Sequence, residues 1–90
     1  MQIKFGRKFK KQYAKAPSKV QQALEKRILL LSQDPTNLQL NNHALTGQYK
    51  GLRSINITGD WRALFAEVVT AKGEMTVIFE LLGTHSQLYH

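Results

Sequence analysis

The side chains of this sequence that can move a proton near neutral pH are few: three histidines and six acidic residues, with no cysteine. Thiol nucleophiles and thiolate metal sites are therefore excluded. No zinc-ligand spacing, phosphate-cradling glycine loop or nucleophile elbow occurs either. What is left is imidazole and carboxylate acid–base chemistry. The sharpest local feature is the ending Gly83-Thr84-His85-Ser86-Gln87-Leu88-Tyr89, in which Gly83 lets the chain leave a strand without strain. A helical turn from Thr84 onward places His85 and Tyr89, four residues apart, on one face. An imidazole beside a phenol can handle both a proton and a nucleobase. His43 stands in a long polar stretch, and His90 ends the sequence, where fraying is expected.

Each of these residues also has an ordinary explanation. A single histidine in a loop is more often a surface or hydrogen-bonding residue than a catalyst, and His43 taken alone reads that way. Asp60, after Gly59, fits a turn position whose carboxylate bonds nearby backbone. Trp61 and Phe65 share one strand face and read as core rather than as a base-stacking platform. Arg53 and Arg62 lie inside strand patterns, where an arginine either faces solvent or serves a site; the two readings balance. Tyr49 and Lys50 read as loop residues.

The elements that must position these groups follow from periodicity. Gln2-Ile3-Lys4-Phe5 predicts a short edge strand. Over residues 7–16, Phe9 and Tyr13 recur at helical spacing among lysines, which predicts a short amphipathic helix with a basic outer face. Pro17 suits the first turn of a second helix, carried by Val20, Leu24, Ile28 and Leu31 and stopped at Asp34-Pro35. Residues 34–50 are rich in Asn, Gln and Thr and predict a long connection pinned to the core by Leu38, Leu40 and Leu45. Long connections in small domains are often functional. Residues 51–57, 61–69 and 74–82 read as three strands joined by Thr58-Gly59-Asp60 and Thr70-Ala71-Lys72-Gly73, both with hairpin chemistry. The expected fold class is α+β: a helical hairpin packed on a small antiparallel β-sheet, in two layers. Ninety residues predict a single domain spanning 1–90, with no linker or internal repeat.

Charge is distributed unevenly. Residues 1–27 hold nine bases and one acid, net +8, and residues 28–90 hold four bases and five acids, net −1. Such a concentration favours a polyanionic partner: RNA, DNA, an anionic membrane surface or an acidic protein. The opening residues contain no apolar stretch of signal-peptide length and no later segment is long enough to span a bilayer, so a cytoplasmic location is expected.

Three runs taken in order resemble a known family: Asn42-His43-Ala44-Leu45-Thr46-Gly47-Gln48-Tyr49-Lys50-Gly51-Leu52-Arg53-Ser54, then Gly59-Asp60-Trp61-Arg62, then Gly83-Thr84-His85-Ser86-Gln87-Leu88-Tyr89. Together they resemble the YafQ branch of the RelE/ParE toxin superfamily, over nearly the full length. The resemblance implies a RelE-like two-layer fold and a toxin of a type II toxin–antitoxin system. It also implies an endoribonuclease that cleaves messenger RNA at the ribosome, with no cofactor and no metal. In that chemistry the ribose 2′-OH attacks the adjacent phosphate, which requires a base, cations around the phosphate and an acid for the leaving oxygen.

By the same resemblance His85, His43 and Asp60 are the catalytic set. Tyr89 stacks on or orients the substrate, and Arg62, Arg53, Asn56 and Lys50 bind substrate or phosphate. Where some YafQ-type toxins have a further histidine shortly before the turn aspartate, this chain has Asn56, which hydrogen-bonds but cannot move a proton. The position of the charge assigns Lys8, Lys10, Lys11 and Lys15 to ribosomal RNA. The expected partners are an acidic antitoxin, the ribosome and mRNA, with no membrane. A ParE-like gyrase inhibitor on the same fold is the rival reading, and a non-catalytic RNA-binding module is a second.

Overall fold

The computed structural model describes residues 1–89, and the expectation of a frayed His90 falls outside the described residues. The chain runs β1 (Gln2–Phe5), α1 (Arg7–Lys15), α2 (Ser18–Gln33), β2 (His43–Ala44), β3 (Arg53–Asn56), β4 (Trp61–Val69), β5 (Met75–Thr84) and α3 (His85–Leu88), a single helical turn. Five strands form one sheet in the order β1-β5-β4-β3-β2. The class is α+β, and the expected meander of β3, β4 and β5 is antiparallel throughout. The sheet as a whole is mixed, because β1 pairs with β5 in parallel. The alternation of apolar residues says which face a strand buries but not which way its neighbour runs, so strand direction could not be read from Ile3 and Phe5.

The helices form where the apolar spacing requires. Phe9 is buried on α1, and Val20, Leu24 and Leu31 on α2, with Ile28 half-buried. Pro17 sits one position earlier than expected, as the N-cap, and its carbonyl accepts from the amides of Val20 and Gln21 at 2.9 and 3.0 Å. Gln21 Nε2 donates to Tyr13 O at 2.8 Å and ties the two helices together. These helices cover one face of the sheet, burying Ile55, Ile57, Ala63, Phe65, Val77, Phe79 and Leu82. Phe9, Phe65 and Phe79 pack with ring centroids 5.3 and 5.4 Å apart, and burying rings of this size dominates the energetics of so small a core. Trp61 packs against the same core while remaining half-exposed.

Residues 34–50 are not an open connection. They hold two 3₁₀ turns, Leu38–Leu40 and Gly47–Tyr49, and the two-residue strand β2 between them. Leu40 is fully buried and Leu45 half-buried, but Leu38 is 95% exposed, so it does not pin the segment. In a three-residue turn only part of the circumference meets the core, and here Leu40 takes that position. The last strand also runs two residues further than expected, to Thr84. Gly83 is therefore still within the strand. A Cβ there would meet Gln87 Oε1 at 3.1 Å and Leu88 Cγ at 3.3 Å, so glycine serves close packing against α3 rather than an exit turn.

Candidate functional site

The face of the sheet turned away from α1 and α2 is assembled from alternate residues. His43 pairs with Ser54, Ser54 with Leu64, and Leu64 with Leu81. One step along the strands, Asn56 pairs with Arg62 and Arg62 with Gly83. Directly opposed residues in an antiparallel ladder share a face, so His43, Ser54, Asn56 and Arg62 lie together on this side. Ser54 Oγ and Asn56 Oδ1 are buried there with no hydrogen-bond partner. Buried polar atoms are nearly always paired, so two orphans on one strand mark a surface that the fold alone does not satisfy.

His43 is exposed on the edge strand, and its Nδ1 lies 2.7 Å from Asn41 O. A carbonyl can only accept, so Nδ1 carries a proton, and in the neutral ring Nε2 keeps its lone pair. Asn41 makes this possible by adopting a left-handed backbone, φ +46°, which turns its carbonyl back toward the ring. Asparagine tolerates that conformation better than most residues. The following Asn42 accepts from Arg53 Nε at 2.8 Å through its side-chain oxygen, which holds the entry to β2 against β3.

At the other end of the site the turn between β3 and β4 meets the start of α3. His85 N donates to Asp60 O at 2.9 Å, so these two residues are backbone neighbours. Thr84 caps the helical turn through a capping box with Gln87, which fixes the first turn against rotation. The His85 and Tyr89 rings lie 4.8 Å apart, as their spacing predicts. The Asp60 side chain departs from expectation: it makes no hydrogen bond to the turn backbone. Thr58 Oγ1 takes that role by accepting from Trp61 N at 3.2 Å, and Arg62 Nη1 donates to the carbonyls of Thr58, Gly59 and Trp61 at 3.0 to 3.2 Å. The Asp60 carboxylate is therefore exposed, with no hydrogen-bond partner among the described residues.

Arg53 and Arg62 lie on opposite faces of the sheet: Arg53 pairs with Phe65 on the helix side, and Arg62 pairs with Asn56 and Gly83 on the other. Each is half-buried and spends part of its guanidinium on local structure. Nε and Nη2 of Arg62 have no partner among the described residues, so they can still meet an anion. Lys50 is exposed beside Tyr49.

The structure brings Asp60 and His85 together but not His43. Two strands stand between β2 and β5, about 14 Å across the sheet, and His43 is level with Leu81, four residues before His85, so the backbones of the two histidines are further apart still. Tyr49 bridges that gap. Its hydroxyl donates to Leu88 O at 2.6 Å, and its ring meets Tyr89 edge-on at 5.6 Å. The loop that follows His43 is thereby clasped to the helical turn that carries His85. Tyr49 reads as an ordinary loop residue in the sequence, and nothing local marks it. Ser54 is more legible in retrospect: Ser54 and Asn56 alternate with Ile55 and Ile57, a polar face on a strand whose other face is core.

Among the described residues, no group of three or more His, Cys, Asp or Glu side chains is placed to hold a metal ion. No helix is long and apolar enough to cross a membrane. Lys8, Lys10, Lys11 and Lys15 are all exposed on α1.

A small α+β domain of this topology matches the fold of the RelE- and YoeB-type toxins. The sequence model for "bacterial toxin of type II toxin-antitoxin system, YafQ" matches residues 1–90, and the chain belongs to that family. Among solved structures, YafQ from E. coli is similar at a TM-score of 0.76 and 24% identity, covering 98% of this chain and 97% of that one. The E. coli DinJ-YafQ complex matches at a TM-score of 0.68 and 24% identity, covering 98% and 97%. A YoeB/ParE toxin from Agrobacterium tumefaciens matches at 0.75 and 14%, covering 94% and 99%. No curated protein sequence matches significantly. The protein is thus a toxin of a type II toxin–antitoxin system.

Proposed function

We propose that this toxin is a ribosome-dependent endoribonuclease that cleaves messenger RNA through attack of a ribose 2′-OH on the adjacent phosphate. The products are a 2′,3′-cyclic phosphate and a 5′-OH end. His43 is the base that takes the 2′-OH proton, through the Nε2 left free by the Nδ1 bond to Asn41 O. His85 is the acid that protonates the leaving 5′-oxygen. Asp60, whose backbone carbonyl accepts from His85 N, supplies a carboxylate that orients that imidazole on substrate binding or serves as a second base. Arg62, Arg53 and Lys50 balance the phosphate charge, Asn56 hydrogen-bonds the substrate, and Tyr89 stacks against a base. Lys8, Lys10, Lys11 and Lys15 hold ribosomal RNA. Base and acid act on two oxygens of one phosphate, so this assignment requires both side chains to converge to hydrogen-bond reach of the bound strand.

The observation that carries this reading is the pair of uncommitted proton-transfer groups, the His43 Nε2 and the Asp60 carboxylate, at two ends of one polar surface. A gyrase inhibitor on the same fold has no use for them. The partner that silences the toxin is an acidic antitoxin whose segment orders on the basic surface; the E. coli YafQ toxin forms a toxin-antitoxin complex with DinJ. The protein works in the cytoplasm as one domain. The test is His85→Ala expressed without antitoxin. Growth arrest and transcript cleavage disappear while antitoxin binding persists. A variant as toxic as its parent, with DNA supercoiling disturbed, would point to the gyrase instead.

A further inference from the structure

Behind the strand turn, on the side of α1, lies a cavity of about 330 Å³ lined by Gln12, Lys15, Trp61, Leu82, Gln87 and Leu88. Its volume falls at the lower end of small-ligand pockets. Its position ties it to the proposed site. Trp61 follows Asp60 in sequence, and Gln87 and Leu88 belong to the helical turn that His85 begins. The polar groups of three lining residues are unspent donors. Gln12 uses Oε1 to accept from Leu82 N at 2.8 Å, and its amide N–H₂ has no partner among the described residues. The indole N–H of Trp61 and the ammonium of Lys15 make no hydrogen bond among the described residues. An aromatic side chain, apolar walls and a ring of donors suit a flat ligand whose edge carries only acceptors.

Single-stranded RNA is read by stacking its bases on aromatic rings and hydrogen-bonding their edges. Among the bases, guanine presents two acceptors side by side, N7 and O6, where adenine replaces one with a donor. We propose that this cavity binds a nucleobase of the RNA strand flanking the scissile phosphate, guanine in preference to adenine. Trp61 supplies the stacking surface, and the Gln12 amide supplies the donor. The inference rests on the ribonuclease reading for its substrate, but it assigns residues and a base preference which that reading does not.

Trp61 is the sole tryptophan in the sequence, so intrinsic fluorescence reports on this cavity directly. The experiment titrates the full chain with 2′-O-methyl RNA tetranucleotides, which resist cleavage and differ at one base. The guanine oligomer is expected to quench the emission saturably and to bind about ten-fold more tightly than the adenine one. Gln12→Glu keeps the acceptor for Leu82 N and removes the donor, so it should lose that preference with its melting temperature unchanged. Equal binding of all four oligomers overturns the proposal, as does a preference retained by Gln12→Glu. Quenching by an acidic peptide alone also overturns it and makes the cavity a protein-docking groove. Cut sites mapped on a translated message separate the two readings. Cuts without a guanine bias sink the cavity proposal and spare the ribonuclease. A transcript left intact beside guanine-selective quenching does the reverse.

Discussion

Along β3 the side chains alternate between two environments of opposite character. Ile55 and Ile57 enter a hydrophobic core closed by α1 and α2, where packing decides stability. Ser54 and Asn56, one residue away, face the other side and keep buried oxygen atoms without partners. An unpaired buried polar atom typically costs about 1–3 kcal/mol. A fold selected only for stability would place apolar residues there. The difference teaches that one face of the sheet holds the molecule together, while the other is shaped for something the isolated chain does not contain.

That contrast can be broken by substitutions on each side. The largest effect is expected on the open side, at its far end: His85→Ala should cut mRNA cleavage by roughly 10²–10⁴-fold, the usual contribution of a positioned acid or base. Its denaturation midpoint should match the parent's, because the His85 ring is exposed. A variant that cleaves normally would remove His85 from the chemistry. On the covered side the pattern inverts. Phe65→Ala empties a fully buried site and should destabilise by about 3–5 kcal/mol in urea titration, with activity lost only as the fold is lost. A midpoint unchanged by this truncation would mean the core is not where the structure puts it.

The clasp between the two ends of the site gives a smaller effect. Tyr49→Phe deletes the bond to Leu88 O and should cost about 1 kcal/mol, with faster hydrogen exchange in the amides of α3. Unaltered exchange there would show that the bond does not hold the helical turn. Smallest of all is Ser54→Ala. Because Ser54 Oγ has no partner to lose, stability should stay within about 0.5 kcal/mol of the parent or rise slightly. A loss of 2 kcal/mol or more, on the order of a broken buried hydrogen bond, would reveal that this oxygen is satisfied after all.

Much of the fold was legible because hydrophobic spacing alone dictates it. Phe9 with Tyr13, and Val20 through Leu31, fixed both helices, and the meander followed from two turn signals. The direction of β1 was hidden because side-chain alternation does not depend on the direction of the neighbouring strand. The small elements within residues 34–50 were hidden because a three-residue turn or a two-residue strand has no period to detect. Of the candidate site, the His85–Tyr89 pair was readable from a spacing of four residues, since a helical turn converts that spacing into contact. Tyr49 was not, because its contact with Tyr89 joins residues forty apart and depends on how the whole sheet curls. Asn41 was equally silent: its role lies in its backbone conformation, not its side chain.

The central claim is that imidazoles on the uncovered face drive attack by a ribose hydroxyl. A message translated in a reconstituted system, with a single 2′-deoxy nucleotide placed just before a mapped cut, tests this most directly. The account predicts that the cut at that position vanishes while neighbouring cuts persist, and that the unmodified message yields 2′,3′-cyclic phosphate ends. Cleavage that continues unchanged at the deoxy position would contradict it.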